Sequence, residues 1–231
     1  MAMKLETVVP FGRSLGEYIK MFDLTERDLS QRILGVGDGP ASFNAEATKL
    51  GYSVTSIDPV YQFSGDEVLA RFNAVVDGIV DQVKASPNDW VWSYHQSPED
   101  LRTNRVKAIN TFINDYDAGK ADGRYRIDAL PQLTIPDRAY DLALCSHFLF
   151  LYSEQLDYSF HLQSIQEMLR VSREVRIFPL LTLMRERSPH LDPVIETLTG
   201  QGYRLAIQKV PYELQKGGNE MLVVTTNREH D

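Results

Sequence analysis

The segment Gly35-Val36-Gly37-Asp38-Gly39 constrains this chain more than any other, because it follows a short apolar run starting at Arg32 and precedes a helix-forming stretch, residues 41–50. An apolar strand that ends in close-spaced glycines and continues as a helix is the junction of an α/β unit. Glycine is needed there because the backbone must take left-handed conformations or let another group come close. The alternation then repeats. Residues 53–57 predict a second strand meeting Asp58-Pro59, 125–127 a short third ending at Asp128, and 174–178 a fifth. The fourth, 140–145, is strongly apolar, as suits a central place buried on both faces. Helices are expected around Leu15, Ile19 and Phe22, after the cap-like Thr25, and over 156–171 and 191–199. Two final extended runs, 203–214 and 220–226, flank Lys216-Gly217-Gly218-Asn219, and Gly-Gly in that position signals a hairpin. The expected sheet is mostly parallel, covered by helices on both faces, with an antiparallel strand brought in by the C-terminal hairpin.

One stretch exceeds what a strand-to-strand crossover needs. Between about residues 60 and 124 there is room for two helices. Ser64-Gly65-Asp66-Glu67 has capping-box spacing and leads an apolar stripe of Val68, Phe72, Val75, Ile79 and Val83. Ser97-Pro98 starts the second, whose face carries Leu101, Ile109, Phe112, Ile113 and Tyr116. The two read as a helical insertion in one domain of 231 residues, either thickening one face of the sheet or forming a lid.

Composition excludes several classes. A single cysteine, Cys145, leaves no internal disulfide and no Cys-based zinc cluster, and the five histidines lack close helical spacing, so no metal is expected. Residues 1–10 lack the positive start and apolar core of a secretory signal, and 140–152 is too short to span a bilayer. A cytoplasmic protein without a membrane partner is expected. A net charge of −8 without a basic cluster disfavours nucleic acid and leaves a small molecule as the expected partner. The oligomeric state is not legible.

The glycine loop is also a ligand-binding device, since the helix N-terminus behind it offers unpaired N–H groups. Asp58 ends the next strand 19 residues beyond Gly39, where a carboxylate can accept hydrogen bonds from both hydroxyls of a ribose. A dinucleotide would require a third glycine where this chain has Ser42, and simple dinucleotide folds do not end in a hairpin, which weighs against NAD.

Four segments, in order, resemble the motifs of class I S-adenosylmethionine (SAM)-dependent methyltransferases: 33–43 the first, Ser56-Ile57-Asp58-Pro59 the second, Ile127-Asp128-Ala129-Leu130-Pro131 the third and 140–147 the fourth. Residues 167–171 and Arg176-Ile177-Phe178 resemble the helix and strand that follow in that family. The resemblance implies a Rossmann-like α/β fold and SAM as cofactor, held by Gly35, Gly37, Asp38, Gly39, Asp58, Pro59, Asp128, Ala129 and Ser146. It implies methyl transfer to a small or medium-sized molecule whose identity the sequence leaves open. The family usually carries an acid where this chain has Gly35, and that acid meets the amino group of SAM. Asp38 is expected to supply the missing carboxylate. Because of that departure, a non-catalytic protein binding SAM or S-adenosylhomocysteine is the alternative reading, and an NAD-dependent oxidoreductase a more distant one.

Methyl transfer from a sulfonium needs a base only when the acceptor arrives protonated. His147, just past the fourth motif, is the candidate base, or else it stacks on adenine. Arg13, Tyr18 and Tyr152 are candidate substrate-binding residues, Arg13 for an acidic acceptor. Phe11 shares their N-terminal segment. Trp90, Trp92 and Tyr94 form either an apolar acceptor wall or a structural cluster, and Cys145 reads as a core residue.

Overall fold

Strand β1 (Arg32–Val36) is the third strand of a seven-stranded sheet of order β3-β2-β1-β4-β5-β7-β6 in this computed structural model, which describes residues 9–226. Residues 1–8 of the stretch read for a secretory signal lie outside the described residues. Strands β2 (Ser53–Ile57), β3 (Tyr125–Arg126), β4 (Leu142–Ser146) and β5 (Glu174–Phe178) run parallel to β1. Strand β7 (Glu220–Thr225) is antiparallel to β5 and carries β6 (Arg204–Lys209) on its outer side. The fold is therefore the expected Rossmann-like α/β sheet with an antiparallel insertion from the end of the chain. All five residues of β4 are buried, which explains their apolar composition.

Alternating residues of β1 separate the two halves of the core. Leu34 and Val36 pack with α6 (Tyr158–Val171) and α7 (Leu191–Gly200), whereas Ile33 packs with α1 (Leu15–Met21) and α3 (Phe43–Lys49). The short α2 (Glu26–Leu29) is capped by Thr25, as its sequence suggests. The stretch between β2 and β3 folds as two long helices packed on each other, α4 (Gly65–Ala85) and α5 (Pro98–Ala121). The capping box of Ser64 and Glu67 starts the first, and Ser97 with Pro98 starts the second. Their shared core, built around Phe72, Ile79, Phe112 and Tyr116, extends to Tyr125 on β3.

The terminal hairpin differs from its expectation. Its first strand stops at Lys209, and residues 210–219 form a long connection instead of a tight Gly-Gly turn. The bond from Val210 N–H to Asn219 O (2.9 Å) closes the ladder. The chain then leaves the sheet because Tyr212 is drawn inward to Glu17, while Leu214 O accepts from Val91 N–H at 2.8 Å. Burying one large aromatic ring with its hydroxyl satisfied outweighs continued pairing at an exposed sheet edge. Among the described residues, no helix is long and apolar enough to cross a membrane.

Candidate functional site

In an open α/β sheet, ligands bind beyond the carboxyl ends of the strands where the strand order reverses. Here that point lies between β1 and β4. A cavity of about 560 Å³ opens there, lined by Gly37, Asp38, Gly39, Asp58 and Pro59 on one side and by Asp128, Ala129 and Ser146 on the other. Gly37 and Gly39 have φ of +65° and +52°, the left-handed region that a side chain would strain.

Gly35 lies beneath the loop, and the reason for its lost side chain is geometric. A Cβ there would fall 1.8 Å from Asp38 Oδ2. The Asp38 carboxylate folds back into the space that a side chain at position 35 would fill. Its Oδ1 accepts from Tyr18 Oη at 2.7 Å and its Oδ2 from Ser56 Oγ at 2.6 Å. Burial pushes its carboxyl up to about 6, against those two hydrogen bonds and helped by the charge of Asp58. Among the described residues no cation pairs with it.

The other two acids also hold their own loops. Asp58 accepts from Gly39 N–H (2.9 Å) and Val60 N–H (2.7 Å), fixing the glycine loop to the turn Pro59–Gln62, and burial raises its carboxyl. Asp128 accepts from Ala129 N–H (3.0 Å), Thr134 N–H (2.9 Å) and Thr134 Oγ1 (2.8 Å). Tyr61, absent from the sequence reading, supports the loop by donating from Oη to Gly39 O at 2.7 Å.

A second, smaller cavity of about 100 Å³ adjoins the first. Val9, Phe11, Arg13 and His147 line both. Its walls are mostly apolar, with Ile79 and Val83 from α4 and Tyr152 and Phe178 facing them. Trp90 is also a wall residue, its indole N–H satisfied by Ser86 Oγ at 3.1 Å. Tyr94 instead packs on Tyr212, ring centres 5.4 Å apart, and lines neither cavity, nor does Trp92.

The candidate residues thus divide. Tyr152 and Arg13 line the second cavity, and Arg13 the first as well. Tyr18 does not line the second: it is buried in the first, stacked on Phe43 at 4.1 Å and bonded to Asp38. Its ring fills the core beneath the loop, which leaves only the hydroxyl to act. Cys145 is buried, and burial pushes its thiol up to about 12.

His147 stands at the seam with φ +52°, its N–H donating to Phe178 O at 2.6 Å and its Nδ1 lying 2.9 Å from Ser146 Oγ. Burial, together with the nearby Arg13 and Arg105 charges, lowers its imidazole well below the ordinary value. It is neutral at physiological pH and a weaker base than an ordinary histidine.

Arg105 and Tyr212 of the second cavity's wall belong to a buried cluster that sequence reasoning missed. Glu17 accepts two hydrogen bonds from Arg105 of α5, at 2.6 and 2.7 Å, and one from Tyr212 Oη at 3.0 Å. His95 Nε2 lies 3.1 Å away, with Asn104 Nδ2 at 3.1 Å from its Nδ1. The same carboxylate closes the capping box of α1 with Ser14. The Ser14-x-x-Glu17 spacing was the one local signal available. Burial alone would raise Glu17, but Arg105 and His95 hold its carboxyl well below the usual range.

No family model matches this chain. Over 223 residues it is 34% identical to Uncharacterized protein MJ0045 of Methanocaldococcus jannaschii, covering 96% of this chain and 98% of that protein. Among solved structures it is similar to the PH0226 protein of Pyrococcus horikoshii OT3 (11% identity, 90% of this chain and 88% of that one, TM-score 0.48). It is also similar to a SAM-dependent methyltransferase of Methanosarcina mazei (13%, 87% and 94%, TM-score 0.44). A third is magnesium protoporphyrin IX methyltransferase of Synechocystis PCC 6803 with bound SAM (13%, 86% and 71%, TM-score 0.43).

Proposed function

This chain belongs to the same family as Uncharacterized protein MJ0045 of Methanocaldococcus jannaschii, and we propose that it is a SAM-dependent methyltransferase acting on a small or medium-sized molecule. One observation carries the reading. The acid missing at position 35 is replaced in space by Asp38, which lines the larger cavity and has no cation of its own. A buried carboxylate held only by hydroxyls suits an ammonium group such as that of SAM.

The residues present fit that cofactor. In this reading Gly37 and Gly39 let the cofactor approach the backbone, Asp58 and Pro59 would hold the ribose, and Asp128, Ala129 and Ser146 would hold the adenine; all of these residues line the larger cavity. When bound, SAM would supply a methyl group already activated on sulfonium, with S-adenosylhomocysteine as the leaving group and any proton on the acceptor's nucleophilic atom passing to neutral His147 or to solvent. The chain's own task is to hold the acceptor at the seam, an orientation effect worth up to ~7–11 kcal/mol. Neutral His147 accepts a hydrogen bond from a protonated acceptor there, and Arg13 and Tyr152 hold the acceptor's other end. The insertion acts as a roof within a single domain, because α4 supplies Arg71 and Val75 to the larger cavity and Ile79 and Val83 to the smaller. That arrangement favours a lid over a helical pair that merely thickens one face.

Calorimetry with S-adenosylhomocysteine and NAD, followed by detection of S-adenosylhomocysteine made from SAM in a metabolite extract, tests this. Binding of the first ligand with turnover is expected. Stabilisation by NAD alone, or binding without any turnover, would overturn it.

A further inference from the structure

The charges around the smaller cavity do not balance. Arg13 and Arg105 both line it, and no acid does among the described residues. The Glu17 carboxylate, which does not line the cavity, has both oxygens committed to Arg105. Arg13 is left over. Its Nη1 donates to the chain's own Phe11 O at 2.5 Å, while its Nε is buried without a partner. Both guanidinium groups sit near the Phe11 ring, at 5.9 Å for Arg13 and 5.2 Å for Arg105. Burial and then the Arg105 charge lower Arg13 to about 10, with Glu17, Tyr212 and Tyr18 acting in the opposite direction. Arg13 lines both cavities, and Arg105 and Tyr212 are wall residues of the smaller one. A buried cation without a counter-ion is costly, and a ligand anion removes that cost with charge-assisted hydrogen bonds.

Size narrows the choice. At about 100 Å³ the cavity is of the same order as the roughly 150 Å³ apolar cavity that accommodates benzene. Its apolar walls suit one ring or a short hydrocarbon body. We propose that the methyl acceptor is a small organic carboxylate with an apolar body about one ring in size, and that Arg13 holds the carboxylate. This rests on the methyltransferase reading above.

The test is calorimetry on the full chain at neutral pH with S-adenosylhomocysteine saturating, using benzoate and its neutral isostere benzamide as probes. Benzoate is expected to bind at least tenfold more tightly than benzamide. Arg13→Gln is expected to weaken benzoate at least tenfold more than it weakens S-adenosylhomocysteine, and Arg13→Lys, which keeps the charge, to restore part of the loss. No benzoate binding, or benzamide binding as well as benzoate, would overturn the proposal, and the parent protein alone suffices for that comparison. An equal loss of benzoate and S-adenosylhomocysteine in Arg13→Gln would also overturn it, by assigning Arg13 to the cofactor's own carboxylate. If S-adenosylhomocysteine does not bind the parent protein, the methyltransferase reading falls and this inference with it. If it binds and the carboxylate preference is missing, only this inference falls.

Discussion

Glu17 and Asp38 are carboxylates sealed into the interior, 1% and 6% exposed, and their surroundings push them in opposite directions. Glu17 accepts a hydrogen bond on each oxygen from the Arg105 guanidinium, with Tyr212 and His95 completing its shell, and is held well below the usual carboxylate range. Asp38 meets two hydroxyls and no cation, and rises to about 6. Neighbours on α1 serve both, since Tyr18 follows Glu17 in the chain. A buried charge that is fully paired ties elements together, here α1, the insertion and the connection 210–219. A buried charge left unpaired is expensive to keep and marks a place for a ligand.

The largest expected effect attacks the paired charge. Arg105→Leu leaves Glu17 buried without its cation and should cost about 3–5 kcal/mol in urea unfolding. Adding Glu17→Leu should recover much of that loss. A cost below about 1 kcal/mol for the single variant would mean that Glu17 and Arg105 do not fasten the insertion to α1.

Stability against pH sharpens the contrast. Asp38 has a raised folded value, so its contribution is complete below the unfolded value near 3.9 and is lost as pH rises through about 6. Relative to its parent, Asp38→Asn should therefore gain up to about 3 kcal/mol between pH 4 and 7.5. Glu17 is depressed, so its contribution is present above the unfolded value and lost as pH falls through the folded one. The deficit of Glu17→Gln should accordingly shrink in acid. Parallel pH profiles for the two variants would contradict the comparison.

Tyr18→Phe removes one of the two hydroxyls on Asp38 and should cost about 1.5–3 kcal/mol at pH 7.5, where the carboxylate is ionised. Thermal unfolding of this variant at pH 5 and 7.5 checks both the size and its decline in acid.

The glycine loop, Asp58 and Asp128 were legible because each is local: a strand, a turn and an acid within a few residues. The helices α4 and α5 were legible for the same reason, from Ser64-x-x-Glu67 and Ser97-Pro98. What escaped is assembled across long separations. Arg105 is 88 residues from Glu17 and Tyr212 is 195 away, so no spacing rule connects them. The connection 210–219 departs from a tight turn for that reason, since Gly217-Gly218 is a local signal and the burial of Tyr212 is not. His147 was placed at the site by its position after β4, but its weakened basicity comes from burial beside Arg13 and Arg105. Asp38 lies between these cases: Gly35 suggested its role, while Tyr18 and Ser56 could be found only in three dimensions.

The central claim is that Asp38 is kept unpaired for the ammonium group of the cofactor. Calorimetric titration of S-adenosylhomocysteine into the parent protein and Asp38→Asn at pH 7.5 tests it most directly. The expected result is an affinity at least tenfold lower in a variant that is no less stable than its parent. An Asp38→Asn protein that binds S-adenosylhomocysteine as tightly as the parent would contradict the claim.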